Sequence, residues 1–330
     1  MPANLTPDYL AAEARFREAV TIEEKLAALD EMYATIPKHK GTEHMRADIK
    51  RRISKLRSKA QQSAKKGKRF DEFHVEKQGA GQIVLLGPPN SGRSTLLARL
   101  TSAEPQIADY PYTTRSPMPG MMEFEDISIQ LVDTPPMSGE HTEGGIISLA
   151  RNSDAVALVL DASDDALLDQ VEDIRAQTAK SRTVLAGARS PDVDLPAGMV
   201  LRRTLIVANK IDLSGAQDNS EVLKEFYSDE FDILPVSAAT GRGLEELRRA
   251  MFDLLGIVRV YTKIPGKPPD LDNPFTLRKG STLIDFAGAI HKDFVHKLRF
   301  ARAWGKNHLD GAQIGRDHVL EDGDVVELHE

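Results

Sequence analysis

Nine residues that read GPPNSGRST, from Gly87 to Thr95, constrain the fold of this chain more than any other segment. They follow the apolar run Gln82–Leu86 and precede the helical pattern Leu96–Leu100. This strand–loop–helix setting is typical of the phosphate-binding motif GxxxxGK[ST], whose backbone N–H groups surround phosphates while its hydroxyl residue binds magnesium. The predicted phosphate-binding residues are Gly87, Asn90, Ser91, Gly92, Arg93, Ser94 and Thr95.

The lysine position of the motif holds Arg93. A lysine ammonium is a compact charge on a thin stem, whereas a guanidinium is a wide planar fork that a narrow loop accommodates poorly. The loss of one charge-assisted hydrogen bond costs ~1.5–3 kcal/mol. We therefore expect phosphate binding to be weakened rather than abolished.

Composition excludes several classes of protein. The chain has 330 residues, 41% of them hydrophobic, and no cysteine, which rules out disulfides and thiol catalysis. Its first residues lack a basic stretch followed by an apolar one, and the longest apolar run, Ala155–Leu160, is too short to cross a membrane. These features predict a cytoplasmic protein without a membrane partner.

The middle of the chain alternates strand and helix patterns. This alternation predicts an α/β fold, a mostly parallel sheet with helices on both faces and ligands at the carboxyl ends of its strands. Residues 182–198 contain two prolines and two glycines, and we predict an irregular segment there. The predicted strands are Ile83–Leu86, Ile127–Val132, Ala155–Leu160, Thr204–Ala208 and Ile233–Val236, and the helices include Ala166–Ala179 and Glu221–Phe226.

Two other regions flank this α/β part. We predict a helical N-terminal region with a basic helix and linker over 1–80, the α/β domain over 81–256, and a small sheet domain over 257–330. The first region begins with Thr6-Pro7, an N-cap followed by proline, and its second helix carries the stripe Leu26, Leu29, Met32 and Tyr33. In the small domain we predict strands at Val258–Ile264, Ser281–Leu283 and Asp324–Leu328 and a helix over Ile284–Phe294.

Further motifs follow the predicted strands. Asp133, in Asp-Thr-Pro-Pro, is placed to hold magnesium through water, and a switch threonine at Thr113 or Thr114 would complete the metal shell. Asp212 ends the run Asn-Lys-Ile-Asp, and its carboxylate can accept hydrogen bonds from N1–H and the amine of guanine, which adenine does not offer. The predicted metal ligands are Ser94, Thr114 and Asp133, and the predicted guanine-binding residues are Asn209, Lys210, Asp212, Ser237, Ala238 and Ala239.

Taken in order, these motifs resemble the P-loop GTPases, specifically the Obg-like branch that contains the developmentally regulated GTP-binding proteins. The stretches DYPYTT at 109–114 and PKHKGTEH at 37–44 are similar to that branch. The C-terminal part resembles a TGS domain, a small ubiquitin-like β-grasp fold, through residues 260–263, 290–293, 303–305 and 315–326. The resemblance extends over residues 21–330.

The resemblance implies GTP or GDP with Mg²⁺ as ligands and a ribosome or structured RNA as partner, with no DNA. A regulatory protein is a further candidate partner. In related proteins the TGS domain is associated with RNA, ribosomes or regulatory nucleotides.

Besides Arg93, two features depart from the family pattern. Pro136 replaces the glycine whose backbone N–H donates to the γ-phosphate, and proline has no N–H to donate. Because GDP does not use this contact, we expect GTP and GDP to bind with similar affinity. Only 47 residues separate Asp161 from Asn209, so the small domain that the family inserts in this region is expected to be missing.

The sequence does not identify a catalytic residue. Met137 occupies the place where many GTPases have a water-orienting glutamine, and this branch typically has an apolar residue there. His141 lies nearby and is a weak candidate for orienting water. A surface histidine without a catalytic role is the alternative that we prefer.

Basic residues are concentrated between Lys40 and Arg69, where twelve Lys or Arg face two acidic residues. Such a cluster is the electrostatic pattern of RNA-backbone binding. The alternative is a solvated helix face that packs on the GTPase body through Met45, Ile49 and Ile53. The candidate RNA contacts are Arg46, Lys50, Arg51, Lys55, Arg57, Lys65, Lys66, Lys68 and Arg69.

Two functional hypotheses follow. The first is a ribosome-associated GTPase with slow hydrolysis. The second is a degenerate GTPase that acts as a non-catalytic adaptor on RNA or ribosomes. Arg93 and Pro136 favour the second, whereas the intact Asn209–Asp212 motif favours retained nucleotide binding, so the sequence leaves enzymatic activity open.

Overall fold

The computed structural model divides the chain into two compact units, Met1–Glu72 and Phe73–Glu330. Each unit has apolar core residues of its own. The structure describes residues 6–18, 22–37, 42–43, 45–56, 73–102, 116–137, 144–190, 195–306 and 310–329.

The first unit is helical. Its helices are α1 (Pro7–Glu18), α2 (Ile22–Thr35) and α3 (45–56). The Thr6 hydroxyl accepts a hydrogen bond from the Tyr9 amide at 3.2 Å, which confirms the predicted N-cap. The predicted stripe of α2 contributes Leu29 and Met32 to the core, together with Tyr9, Ala12, Ile36, Ile49 and Ile53.

The second unit begins with a seven-stranded central sheet. Its strand order is β2-β3-β1-β4-β6-β5, with β7 also paired to β6, and every pairing is parallel except that of β2 with β3. The strands are β1 (Gln82–Leu86), β2 (Met118–Phe124), β3 (Ile127–Asp133), β4 (Ala155–Asp161), β5 (Thr183–Ala186), β6 (Val200–Asn209) and β7 (Ile233–Pro235).

Helices cover both faces of this sheet. The side chains of β1 alternate, so that Val84 and Leu86 enter the core on one face while Ile83 and Leu85 enter the core on the other. Helices α5, α6 and α7 pack on the first face, and α4 and α8 on the second. Their bounds are α4 (Arg93–Leu100), α5 (Gly144–Asn152), α6 (Leu167–Lys180), α7 (Ala216–Tyr227) and α8 (Leu244–Leu255).

A second sheet, the C-terminal sheet, has the order β11-β10-β12-β8-β9. Strand β12 runs parallel to β8 and the other pairs are antiparallel, with α9 closing the core through Leu283, Phe286 and Ala287. This is the predicted β-grasp arrangement. Its elements are β8 (Ile257–Lys263), β9 (Pro269–Arg278), α9 (Leu283–Ile290), α10 (Lys292–Lys297), β10 (Phe300–Trp304), β11 (Ala312–Ile314) and β12 (Asp324–His329).

The five predicted strands of the central sheet are confirmed, but three local predictions were wrong. Residues 182–198, predicted as irregular, contain β5, which extends the sheet beside the first half of β6. The strand predicted at Ser281–Leu283 is absent, because Thr282 forms a capping box with Asp285 and starts α9. The second strand is instead β9, whose exposed, acidic first half carries no apolar signal. The predicted single helix divides at His291 into α9 and α10.

One arginine joins the C-terminal sheet to the central sheet. The Arg259 side chain is 8% exposed and donates to Asp322 through Nε at 3.0 Å and Nη2 at 2.8 Å. Its Nη1 donates to Asp126 at 2.7 Å and also to Glu125, both in the β2–β3 turn, and its guanidinium lies 5.1 Å from the centre of the Phe252 ring. Partial burial alone would raise the pKa of Asp322, but hydrogen bonds from Arg259 hold it below its usual range.

Within the described residues, no helix is both long and apolar enough to span a membrane.

Replacing Arg259 with alanine should destabilise the C-terminal sheet. The change leaves three carboxylates close together without their shared cation, and we expect the free energy of unfolding to fall by about 2–4 kcal/mol. The partial exposure of the carboxylates limits the size of this effect. Trp304, the only tryptophan in the chain, lies in β10, so its fluorescence in a urea titration reports this sheet.

The exposed Arg302 of β10 offers a matched control, and Arg302→Ala should change stability by no more than about 0.5 kcal/mol. Equal stability of the two variants would show that the Arg259 contacts contribute nothing measurable.

Candidate functional site

Polar residues meet at one edge of the central sheet, where four parallel strands end. The GPPNSGRST loop follows β1, and Asp133, Asp161 and Asn209 are the last residues of β3, β4 and β6. Ligands of open α/β sheets bind at this edge. The topology therefore brings the predicted motifs to one place.

The loop requires glycine at Gly92. Its φ of 87° lies in the left-handed region, and a Cβ there would stand 2.4 Å from Asn209 Nδ2. Gly92 is also the N-cap of α4, so the first N–H groups of that helix, which have no partner in a preceding turn of the helix, lie next to the loop. This geometry fits an anion such as phosphate.

Arg93 folds back into the loop that it follows. Its Nη1 donates to the Pro88 carbonyl at 2.6 Å and to the Ser91 hydroxyl at 3.1 Å, and its Nε lies 3.5 Å from Asp133 Oδ1. The side chain is only 7% exposed. Burial lowers the pKa of Arg93, an effect that the nearby Asp133 carboxylate opposes. The guanidinium thus occupies space inside the loop, where its charge lies close to the Asp133 carboxylate.

The predicted metal ligands Ser94 and Asp133 are adjacent. Ser94 Oγ donates to Asp133 Oδ2 at 2.5 Å. A hydroxyl and a carboxylate oxygen suit Mg²⁺, which usually takes one or two protein ligands and completes its shell with phosphate oxygens and water. The described residues contain no group of three or more His, Cys, Asp or Glu that would hold a metal without such help. The third predicted ligand, Thr114, lies outside the described residues, as does Thr113.

The segment that follows β3, residues 134–137, is hydrogen-bonded to the end of β1 and the start of the GPPNSGRST loop. The Thr134 hydroxyl donates to the Leu85 carbonyl at 2.8 Å, and the Met137 amide donates to the Gly87 carbonyl at 3.0 Å. Met137 is 3% exposed and belongs to the apolar core, so it does not orient water. Pro136 lies between these two anchors. His141 lies outside the described residues.

Asn209 connects the loop to the predicted guanine side. Its Nδ2 donates to the Ser91 carbonyl at 2.9 Å, and its Oδ1 accepts from the Ala238 amide at 3.0 Å. Asn209 is 1% exposed, so in this buried place the Ser91 carbonyl and the Ala238 amide depend on its side chain for their hydrogen bonds. Ser237 and Ala238 are buried beside it, whereas Ala239 is exposed. Asp212 is exposed, with its carboxylate open to solvent at the same edge.

Asp161 and Arg99 are site residues that the motifs did not predict. Asp161 Oδ2 accepts from Lys210 Nζ at 2.6 Å, and Lys210 has a φ of 66°. Burial raises the pKa of Asp161, but hydrogen bonds from Lys210 and Ser163 outweigh it and lower the pKa overall. Arg99 Nε donates to the Ala238 carbonyl at 3.0 Å. The position of Asp161 directly after an apolar strand, like that of Asp133, was a usable signal.

The candidate RNA-binding residues of α3 divide into two groups. Lys50, Arg51 and Lys55 are exposed, whereas the Arg46 guanidinium lies 5.2 Å from the centre of the Tyr33 ring. Met45, Ile49 and Ile53 contact the core of the helical unit, which accounts for the apolar side of α3. Outside the described residues lie Arg57, Lys65, Lys66, Lys68 and Arg69.

Replacing Asn209 with alanine should destabilise the fold itself. It removes both hydrogen bonds and leaves buried polar backbone groups without partners, which we expect to cost about 2–4 kcal/mol. Chemical denaturation followed by far-UV circular dichroism measures this loss. Asp212→Ala, an exposed change at the same edge, should alter stability by less than about 0.5 kcal/mol. An Asn209→Ala protein as stable as the Asp212→Ala protein would contradict the bridging role.

Two family models match the chain. Residues 82–188 match a model described as 50S ribosome-binding GTPase, and residues 258–330 match the TGS domain. Among solved structures, Era of Aquifex aeolicus bound to GDP·AlF4⁻ is 20% identical with a TM-score of 0.41, covering 53% of this chain and 56% of that one.

Similar proteins extend over nearly the whole chain. An uncharacterized GTP-binding protein of Methanocaldococcus jannaschii is 28% identical, covering 94% of this chain and 93% of that protein. Developmentally-regulated G-protein 1 of Arabidopsis thaliana is 29% identical, with coverages of 92% and 90%. Ribosome-interacting GTPase 1 of Saccharomyces cerevisiae is 27% identical, with coverages of 93% and 99%.

The alignment with the archaeal protein is 366 residues long, which exceeds the 330 residues of this chain, so the relative has segments that this chain lacks. Between Asp161 and Asn209 the described residues form α6, β5 and the first part of β6, with no inserted domain among them.

These matches agree with the strand order, with the order of the motifs and with the C-terminal β-grasp sheet. They identify the chain as a member of the Obg-like P-loop GTPases, in the branch of the developmentally regulated GTP-binding proteins that carries a C-terminal TGS domain.

Proposed function

We propose that this chain binds guanine nucleotide at the edge of the central sheet and acts on ribosomes or structured RNA with slow GTP hydrolysis. The observation that carries the nucleotide part is the arrangement of Asn209 and Asp212. Asn209 ties the phosphate loop to the segment at Ala238, and Asp212 presents an exposed carboxylate to accept hydrogen bonds from guanine.

Mg²⁺ is the proposed second ligand. Ser94 and Asp133 would hold it, with Thr114 as the third candidate. When bound, the ion would supply positive charge that offsets the negative charge of the phosphates. Arg93 lies 3.5 Å from the same carboxylate, so its positive charge opposes the approach of a metal ion to Asp133.

Slow hydrolysis is proposed from Arg93 and Pro136. Arg93 is engaged with the loop carbonyl of Pro88 and with Asp133, so these contacts compete with any phosphate for its guanidinium. Pro136 has no N–H to offer a γ-phosphate. Because the loss at Pro136 concerns only GTP, the proposal includes similar affinities for GTP and GDP.

Pro136→Gly should tighten GTP selectively. A restored N–H to a charged oxygen contributes ~1.5–3 kcal/mol, which is roughly ten- to a hundredfold in GTP affinity. Arg93→Lys should tighten both nucleotides to a similar degree. Titration calorimetry with GTP and with GDP, together with phosphate release, measures these effects.

Asp212→Ala is the control for guanine recognition, since it removes the proposed contact with the base. It should lower the affinities for GTP and GDP without changing the ratio between them. A wild-type preference for GTP above tenfold would contradict the proposed similar affinities, and brisk phosphate release would contradict slow hydrolysis. An unchanged GTP/GDP ratio in Pro136→Gly would contradict the account of the missing N–H.

Ribosome or RNA association is proposed on three grounds. A yeast relative is named for interaction with the ribosome, and one matching family model is described as ribosome-binding. Three exposed cations of α3, Lys50, Arg51 and Lys55, offer charge for phosphate contacts. With a ribosomal partner, the proposed location of the protein is the cytoplasm. The non-catalytic adaptor is the second candidate function, favoured by the burial of Arg93.

Replacing Lys50, Arg51 and Lys55 together with glutamine should weaken co-sedimentation with ribosomes. Because each cation that neutralises a phosphate releases counterions, affinity should also depend less steeply on salt concentration in this variant than in the wild type. A triple glutamine variant at the exposed Lys180, Arg182 and Arg242, outside both α3 and the C-terminal domain, is the matched control. Equal co-sedimentation of both variants would remove α3 from the interaction.

A further inference from the structure

A cleft lies between the central sheet and the C-terminal sheet, away from the nucleotide edge. Its volume is about 530 Å³, within the range of small-molecule sites. Gly81 and Asp154, which precede β1 and β4, line it, whereas the phosphate loop follows the opposite end of β1. The two sites are therefore separated by the length of the strands.

The lining of the cleft is strongly basic. Five of its residues are cationic and one, Asp154, is acidic. Asp154 is already engaged, because it accepts from the Gln82 amide at 2.9 Å and from Lys77 Nζ at 2.5 Å. Among the described residues, no carboxylate lies within ion-pair distance of the other four cations, Arg202, Arg203, Arg278 and Lys279.

Arg202 is the most constrained of these cations. It donates to the Leu201 carbonyl at 2.8 Å and to the Arg151 carbonyl, but its buried Nε has no acceptor in the described part of the chain. Burial lowers the pKa of Arg202, Asp154 opposes this effect, and the charges of Arg151 and Arg278 add to it. A bound anion would offset both the cost of burying the Arg202 charge and its repulsion by Arg151 and Arg278.

The cations come from both walls of the cleft. Arg202 and Arg203 belong to β6, whereas Arg278 ends β9 and Lys279 follows it. The walls are joined by a hydrogen bond from the Lys279 amide to the Gly256 carbonyl at 2.8 Å. A ligand with two or more negative groups would meet the cations of both walls at once.

We propose that this cleft binds a small polyphosphate anion, a molecule with two or more phosphate groups, that bridges the two sheets. Arginine and lysine are the usual partners of phosphate oxygens in proteins. The described lining contains no aromatic side chain on which RNA bases would stack, and its five cations line a volume of only about 530 Å³. Both features favour a compact anion over a nucleic-acid strand.

Tripolyphosphate is the probe for a calorimetric titration of the full chain. The variant Arg278→Gln/Lys279→Gln changes two exposed residues, so folding should be preserved, and we expect binding at least roughly tenfold weaker. Lys292→Gln/Lys297→Gln is the matched control in the same domain and should bind like the wild type. Ser94→Ala tests the phosphate loop and should leave this binding event unchanged.

Equal affinity of the wild type and the Arg278→Gln/Lys279→Gln variant would overturn the proposal. So would loss of binding in Ser94→Ala alone, which would assign the anion to the phosphate loop. A short single-stranded RNA is titrated in parallel. If RNA bound through Arg278 and Lys279 while tripolyphosphate did not, the ligand would be a nucleic-acid strand and the proposal would fail.

Discussion

The structure of the nucleotide edge depends on the contacts that the Asp133 carboxylate makes. It is 1% exposed and accepts from Ser94 at 2.5 Å, and Arg93 Nε lies 3.5 Å from it. A buried carboxylate is costly unless it is paired and hydrogen-bonded, so the end of β3 and the start of α4 hold each other in place. Arg93 is therefore part of the architecture of the loop as well as a candidate phosphate contact.

These contacts give Arg93 a structural role in addition to the one that lysine has at this position of the motif. A lysine ammonium has three donors on one atom, whereas the guanidinium distributes its donors over a plane. Arg93 uses that plane to contact Pro88 and Ser91 on one side and to approach Asp133 on the other. In the proposed nucleotide complex a phosphate would share or displace these contacts, so nucleotide affinity and loop conformation would be linked.

Much of the fold and the core of the site were predictable because their signals are local. Predicted strands of four to six residues indicated β1, β3 and β4, and the polar residues that follow them marked the sheet edge. The predictions failed where the signal is not local. Strand β9 begins with exposed, acidic residues and is held by its pairing with β8, and β5 is a short strand held beside β6. The contact of Asp161 with Lys210 joins residues 49 positions apart, and no pattern in either segment specifies the other.

The Arg259 cluster has a mechanical consequence for β3. Strand β3 begins at Ile127, directly after Asp126, which Arg259 contacts, and it ends at Asp133 beside the phosphate loop. At ~3.3 Å per residue this strand is about 20 Å long. Its backbone is hydrogen-bonded to β1 on one side and β2 on the other. The strand is therefore fastened at both ends, to the C-terminal sheet through Arg259 and Asp126 and to the phosphate loop through Asp133, Ser94 and Arg93.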